Sequence, residues 1–286
     1  MNLCKITDPS DPRLALYLDL KDRDIRRGTG QFLAEGEHVV RRAFEAGLTV
    51  RSVLVAESKA DRVVAMAEAA GRPDVDIFTC PKTIMQRATG IQLHQGVIAA
   101  VDPPDPVTLE AGLSAWGDAD AGVAGRSPVV VVCPEITNVD NLGLLVRVSA
   151  GLGVSAMVLG PRCADPWYRR AVRVSMGAVF TLPIVRSGDL ASDLELMRSG
   201  FGLEMVATVI DADAPPLAEF KLTPASRGRC AVLLGSEGYG LSPQDVARCD
   251  RRVRIPMYHD VDSLNVAVAA GIVLHHLVSG NAVAGG

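Results

Sequence analysis

The chain has 286 residues, of which 48% are hydrophobic and 22% charged, so it has material for a packed core and is not a disordered chain. Its net charge of −4 gives no sign of a polyanion-binding protein, and its 4% of aromatic residues argues against an extended wall of stacking rings. No apolar run reaches the roughly 20 residues of a membrane span. The N-terminus lacks the basic and then apolar order of a secretory signal, so we expect a cytoplasmic protein.

Six cysteines are spread along the chain, at positions 4, 80, 133, 163, 230 and 249. None forms a Cys-x-x-Cys pair and none lies near paired histidines, so their spacing does not favour a zinc site. A disulfide scaffold is not expected in a chain of this length. We therefore expect mostly buried free thiols and no metal.

The first hundred residues predict a compact α/β unit. A short apolar strand begins at Phe32, turns at Gly36 and continues as an amphipathic helix, with Gly47 at the position after its end. Further strands are predicted at 50–55, 75–78 and 96–101, and a further helix at 60–70.

A short stretch near the N-terminus carries four basic residues, Lys21, Arg23, Arg26 and Arg27. A local basic patch binds phosphates even when the surrounding segment is neutral. Three aspartates are interleaved with these residues, which is typical of a solvated charged turn. Composition alone favours the solvated turn over a phosphate-binding patch.

Proline and glycine are dense over residues 104–127, which predicts a linker between a domain at 1–103 and a domain at 128–286. The second domain opens with a β-branched run at 128–133 that is typical of a buried parallel strand. Strands and helices then alternate, which predicts an α/β fold with a parallel sheet covered on both faces. The further strands are expected at 156–159, 180–185, 203–210, 231–234 and 252–255, and the helices at 141–152, 168–176, 189–199 and 263–278.

The first of three polar clusters in this domain runs from Asn141 to Arg147, directly after the first strand. Arg147 lies within an otherwise apolar helix, where a buried charge requires a partner. One interpretation is a structural ion pair in the core. The other is a guanidinium aimed at a phosphate or carboxylate.

The second and third clusters also follow strands. Residues 234–242 form a glycine-rich loop that contains Glu237, and glycine allows the backbone to approach a ligand closely. This loop lacks the pattern of a P-loop or of a dinucleotide-binding turn. In the third cluster, Ser263 and Asn265 stand at the entrance of an alanine-rich helix, where capping is their ordinary role.

Together the three clusters resemble the three signature motifs of the SpoU/TrmH family of RNA 2′-O-ribose methyltransferases, in the SPOUT superfamily. The resemblance covers roughly 128–280 and depends on Asn141 to Arg147, on 234–238, and on 255–257 with 263–266. Asp140 departs from it, because many members have glycine there. The N-terminal unit, with Phe32 to Gly36 and His94 to Val97, resembles the accessory RNA-binding domain of longer members, which favours RNA binding by the 21–27 stretch.

The resemblance implies a smaller α/β substrate-binding domain followed by a methyltransferase domain with a trefoil knot within roughly 205–280. It implies S-adenosylmethionine as cofactor, with no metal. The residues expected to contact this cofactor are Thr208, Val209, Leu233, Gly235, Ser236, Gly238, Ile255, Met257 and Leu264. Of these, the apolar side chains of Leu233, Ile255, Met257 and Leu264 are expected to enclose the adenine ring.

The resemblance also implies a catalytic set of Arg147, Asn141, Glu237, Ser263 and Asn265. Because a guanidinium stays protonated, we expect Arg147 to clamp an RNA phosphate and stabilise the developing alkoxide rather than act as a base. Family members are homodimers in which the partner supplies this arginine. The expected substrate is a ribose 2′-hydroxyl of structured RNA, in rRNA (large-subunit favoured) or tRNA. The alternatives are a base-nitrogen methyltransferase of the same fold and a non-catalytic RNA-binding or assembly protein.

Overall fold

A computed structural model describes residues 2–17, 28–72, 74–89, 96–114 and 127–280. The predicted RNA-binding residues Lys21, Arg23, Arg26 and Arg27 lie outside the described residues, as do His94 and Gln95. Among the described helices, none combines the length and apolar character that crossing a membrane requires.

The chain alternates strands and helices along most of its described length. The strands are β1 (Asn2–Lys5), β2 (Phe32–Glu35), β3 (Val50–Ala56), β4 (Asp76–Cys80), β5 (Val97–Val101), β6 (Val129–Cys133), β7 (Ala156–Leu159), β8 (Ile184–Arg186), β9 (Glu204–Thr208), β10 (Cys230–Leu233) and β11 (Arg251–Val253). The helices are α1 (Glu37–Glu45), α2 (Ala60–Ala69), α3 (Lys82–Thr89), α4 (Leu109–Ser114), α5 (Val139–Gly151), α6 (Arg169–Val174), α7 (Leu190–Ser199), α8 (Pro243–Ala247) and α9 (Val266–Gly280).

The contacts divide the chain into two compact units. The first comprises Met1–Asp105 together with Asp165–Thr181, and the second comprises Pro106–Ala164 together with Leu182–Gly286. The sequence places 128–286 in one domain, whereas these contacts group 165–181 with the first unit. The exact domain limits and the linker at 104–127 remain predictions.

The first unit contains a mixed five-stranded sheet in the order β1-β4-β3-β5-β2, in which β5 runs antiparallel to β2 and β3. The predicted strand, turn and helix at its start are confirmed: Gly36 has a φ of 103°, and Gly47 follows α1 with a φ of +71°. Helix α1 buries Val39, Val40 and Phe44. The sequence did not predict β1 or α3.

The segment 165–181 packs on this unit through aromatic contacts and ion pairs. Phe32 of β2 lies 5.1 Å from the ring of Trp167 and 5.8 Å from the ring of Phe180, measured between centroids. The buried carboxylate of Glu35 forms ion pairs with the guanidinium groups of Arg173 and Arg169, with nitrogen–oxygen distances of 3.2 and 3.5 Å. Strand β2 is thus covered by a segment that lies about 130 residues further along the chain. Arg169 and Arg173 belong to that segment.

The second unit contains a six-stranded sheet in the order β11-β9-β10-β6-β7-β8, and all its neighbouring strands are parallel. The predicted parallel sheet is confirmed, and all five residues of the central strand β6 are buried. The strand predicted at 180–185 is wrong in its extent, because 178–180 form a 3₁₀ turn and β8 begins only after Pro183. Helix α9 begins at Val266, three residues later than predicted.

We expect Glu35→Ala to lower the free energy of unfolding by about 1–3 kcal/mol, because it removes a buried carboxylate that accepts a hydrogen bond from Arg173 and pairs with Arg169. The Glu35 side chain is only 8% exposed, whereas Glu57 in its pair with Lys5 is 43% exposed. Glu57→Ala is therefore the control, with an expected loss of about 0–1 kcal/mol. Urea denaturation of the full chain measures both, and equal losses would contradict a structural role for the Glu35 cluster.

Candidate functional site

The order of the second sheet reverses beside its central strand β6. Strands β7 and β8 extend the sheet on one side of β6, whereas β10, β9 and β11 extend it on the other. Ligands of open parallel sheets bind at such a reversal, outside the carboxyl ends of the strands. Helix α5 follows β6 and the 234–242 loop follows β10, so the first two polar clusters both lie at this position.

One side-chain amide connects all three clusters. Asn141 Nδ2 donates to Glu237 Oε1 at 3.0 Å, and Asn265 Nδ2 donates to Asn141 Oδ1 at 2.9 Å. Asn265 Oδ1 in turn accepts from the backbone N–H of Ala267 at 2.9 Å, at the start of α9. The Asn141 amide is thus bonded at both ends, which fixes its orientation and that of the Glu237 carboxylate.

Asn138 fixes the helix that carries Asn141. Its side-chain oxygen accepts from the N–H groups of Asp140 and Asn141 at 2.9 and 3.2 Å, as an N-cap does. Asp140 is an ordinary residue of the first turn of α5 and does not have a positive φ. The departure from the family's glycine therefore strains no backbone, and its negative charge suits a helix N-terminus.

The glycine-rich loop after β10 closes on itself through its backbone. Ser236 N–H donates to the Gly240 carbonyl at 3.0 Å, and Gly240 N–H donates to the Ser236 carbonyl at 3.1 Å. A Cβ on Gly235 would lie 2.3 Å from the carbonyl carbon of Gly240, a separation that real Cβ atoms do not adopt. Only glycine fits at 235, and Glu237 and Tyr239 are held on the loop that this closure forms.

A cavity of about 1250 Å³ opens among these loops. Its wall includes twelve of the predicted catalytic and cofactor-binding residues: Asn141, Thr208, Val209, Gly235, Ser236, Glu237, Gly238, Ile255, Met257, Ser263, Leu264 and Asn265. Apolar side chains and loop backbone groups are the lining expected for a ligand of nucleoside size. The residues present therefore fit S-adenosylmethionine, with apolar groups for the adenine and main-chain N–H and C=O groups for its edge.

Leu233 does not line this cavity, which corrects the expectation that its side chain encloses the adenine. Its side chain is fully buried in the core of the second unit, with Val130 and Met205 among its neighbours. The Leu233 carbonyl accepts from Thr208 Oγ1 at 2.8 Å and so links the ends of β9 and β10. Leu233 supports the cavity through its backbone.

Arg147 is exposed on α5, which corrects the expectation that it lies on a buried face. It lines a separate open groove of about 870 Å³ between α5 and α9, together with Leu144, Val268 and Ile272. Arg147 follows Asn141 by six residues on the same helix, so its side chain points about 120° away from that of Asn141 around the helix axis. Arg147 is therefore directed away from the Asn141 network. Among the residues that the structure describes, Arg147 forms no ion pair and no hydrogen bond.

Sequence reasoning missed part of the cavity wall. Ile210, Asp211, Tyr239 and the residues from Arg251 to Val253 also line it. A signal for the last group was present in the sequence, because the predicted strand at 252–255 runs directly into the expected cofactor residues Ile255 and Met257. Tyr239 lies between two glycines of the predicted loop and could have been noted as a large side chain at that position.

The cysteines are free, as predicted, and four of the six are buried. Burial raises the pKa of Cys230 to about 12 and the pKa of Cys133 well above its usual range. These thiols therefore stay protonated and poorly nucleophilic. Over the described ranges, no group of three His, Cys, Asp or Glu residues is placed to hold a metal ion.

The fold and site together define a methyltransferase domain with a preceding substrate-binding unit, and comparisons with known proteins support this class. Residues 128–275 match the SpoU rRNA Methylase family, and residues 12–99 match the MRM3-like substrate binding domain. An uncharacterized tRNA/rRNA methyltransferase of Mycobacterium tuberculosis is 34% identical over 94% of this chain and 90% of its own length. The 23S rRNA (guanosine(2553)-2′-O)-methyltransferase RlmP of Bacillus subtilis is 26% identical over 96% of this chain and 98% of its own.

A solved structure has the same fold along nearly the whole chain. The SpoU methyltransferase AviRb from Streptomyces viridochromogenes superposes with a TM-score of 0.74 at 25% identity, over 95% of this chain and 98% of its own. The chain belongs to the SpoU rRNA methylase family. The predicted family, RNA methyltransferase activity and S-adenosylmethionine cofactor are confirmed, and so is the α/β fold class with its parallel sheet.

We expect Gly235→Ala to weaken S-adenosylmethionine binding at least tenfold, because the loop must open to relieve the contact with Gly240. Gly188→Ala is the matched control, since a Cβ there meets nothing within 4 Å and lies outside the cavity. Isothermal titration of each variant with the cofactor measures the effect. Unchanged affinity in Gly235→Ala would show that the closed loop is not needed for cofactor binding.

Proposed function

We propose that this methyltransferase transfers the methyl group of S-adenosylmethionine to a ribose 2′-hydroxyl of large-subunit rRNA. The hydrogen-bonded set of Asn141, Glu237 and Asn265 at the wall of the cavity carries the proposal, because it fixes a carboxylate where the hydroxyl must be oriented. Two relatives support the substrate. RlmP of Bacillus subtilis and RlmB of Acinetobacter baylyi are both named as 23S rRNA guanosine-2′-O-methyltransferases.

When bound, S-adenosylmethionine supplies an electrophilic methyl group whose bond to sulfur breaks as a bond to the ribose oxygen forms. Glu237 orients the 2′-hydroxyl through its carboxylate, while Asn141 holds that carboxylate in place. Ser263, also on the cavity wall, contacts the ribose. The hydroxyl proton passes to solvent at the open mouth of the cavity. Holding the two reactants in line supplies several kcal/mol of the barrier, about 7–11 in ideal cases.

Arg147 completes the site from a second copy of the chain. The groove that it lines is apolar and exposed, with Leu144, Val268 and Ile272 at its surface. A two-fold dimer through this groove buries the apolar patch and brings each Arg147 to its partner's cavity. There the guanidinium clamps an RNA phosphate and stabilises the developing alkoxide. We also propose that the chain forms a trefoil knot within roughly 205–280.

The N-terminal unit contributes RNA binding. Its match to a substrate binding domain supports this role, and so does the basic stretch of Lys21, Arg23, Arg26 and Arg27. Basic side chains of this kind bind RNA phosphates independently of sequence. We propose that the enzyme acts in the cytoplasm, on rRNA.

We expect Asn141→Asp to reduce kcat about 100-fold, because it replaces the donor to Glu237 with a second carboxylate and leaves two acceptors 3.0 Å apart. Asn138→Asp is the matched control, since it adds the same charge and keeps the N-cap acceptor. The substrate is unmodified 23S rRNA transcribed in vitro, and the product is mapped by alkaline hydrolysis. A 2′-O-methyl group blocks cleavage at its own nucleotide. Labelled product without this block would indicate base methylation, and no label in the wild type would indicate a non-catalytic protein.

A shared site predicts complementation between two inactive variants. We expect a purified dimer of one Arg147→Ala chain and one Glu237→Gln chain to have about half of the wild-type activity, because one complete site forms across the two chains. The control dimer pairs a wild-type chain with a chain that carries both substitutions, and it has no complete shared site. Activity in the control but not in the complementing dimer would show that Arg147 acts within its own chain.

A further inference from the structure

The large apolar side chains that the described residues leave exposed fall mainly into two groups. Leu144, Val268 and Ile272 belong to the α5 and α9 groove, which the proposed dimer covers. The three most exposed are Ile210, Tyr239 and Tyr258, and they lie on the loops that follow β9, β10 and β11 at the cavity. The dimer patch does not include this second group.

Tyr239 stands out within the second group. It lines the cavity, yet its side chain is 98% exposed, so it contacts almost nothing within its own chain. The loop beneath it is nevertheless closed by the Ser236–Gly240 backbone pair, and the Ser236 hydroxyl oxygen accepts from Tyr239 N–H at 3.4 Å. The loop backbone therefore fixes the attachment point of this side chain, two residues from Glu237, while the ring itself remains open to solvent.

We propose that the Tyr239 ring stacks on a base of the RNA, at or next to the nucleotide that is methylated. This inference rests on the proposed function of the site. An aromatic face is the surface on which unpaired RNA bases stack, and such stacking is tolerant of base identity. Because the ring is 98% exposed rather than enclosed, we assign it to a base of the substrate and not to the adenine of the cofactor. Tyr239 is thus a substrate-positioning residue beside the oriented carboxylate.

The test compares steady-state methylation of the 23S rRNA transcript by the full-length dimer and its variants. We expect Tyr239→Leu, which keeps apolar volume but loses the π face, to raise KM for RNA about 5- to 100-fold, as for the loss of one base–aromatic stack. Tyr239→Phe keeps the ring and should stay within about twofold of the wild type. The affinity for S-adenosylmethionine should be unchanged in both variants.

Tyr258→Leu is the second control, since Tyr258 is also exposed, at 75%, but does not line the cavity. Equal increases in KM for Tyr258→Leu and Tyr239→Leu would overturn the assignment to Tyr239. A loss of cofactor affinity in Tyr239→Leu would place the ring against the cofactor instead, and a dissociated dimer in light scattering would place it in the subunit interface. Either result overturns the proposal.

A photo-crosslinking experiment separates this inference from the proposed function. The wild-type enzyme is irradiated with a 4-thiouridine-labelled 23S rRNA transcript, and the crosslinked peptides are mapped by mass spectrometry. A crosslink at Tyr239 supports base contact whether or not the transcript is methylated. Methylation without any crosslink at 235–241, and with an unchanged KM in Tyr239→Leu, would reject the stacking role and leave the proposed function intact.

Discussion

The site depends on a single amide whose two ends are both hydrogen bonded. Asn141 lies 96 residues from Glu237 and 124 residues from Asn265, yet its nitrogen and oxygen bond to one side chain of each. A buried polar group without a partner costs about 1–3 kcal/mol, so placing all three segments together stabilises the folded state by about that amount. The same Asn265 also bonds the first turn of α9. The position of the start of α9 and the orientation of the Glu237 carboxylate are therefore linked through Asn265 and Asn141.

The parallel sheet provides the rigid base for this network. Strand β6 is buried along its whole length, and its neighbour β10 continues into the loop that carries Glu237. Side chains placed on helices and closed loops keep their positions better than those on open loops. The contact between Gly235 and Gly240 shows how little room is left, because the loop closes only where no Cβ is present.

The sequence predicted the buried strands and the three polar clusters, but it could not tell which face each side chain occupies. Leu233 illustrates this for strands: a strand covered on both faces has no polar alternation to indicate which residue points toward a ligand. Arg147 illustrates it for helices, because its apolar neighbours suggested burial, although Leu144 on the same helix is itself exposed. The link between Glu35 and the 165–181 segment could not be predicted either, since contacts between residues about 130 positions apart leave no local pattern.

The low aromatic content limits how the chain can contact RNA. In the first unit, the rings of Phe32, Trp167 and Phe180 pack on one another and are committed to the fold. Tyr239 lies at the cavity with its ring open to solvent, so the proposed stacking on a base requires only this one ring. Affinity for a long RNA must then come mainly from phosphate contacts, which bind without regard to sequence and weaken with salt. In the proposed function the N-terminal unit therefore supplies phosphate contacts to the RNA, and the carboxylate of the closed loop orients the ribose hydroxyl that reaches the cavity.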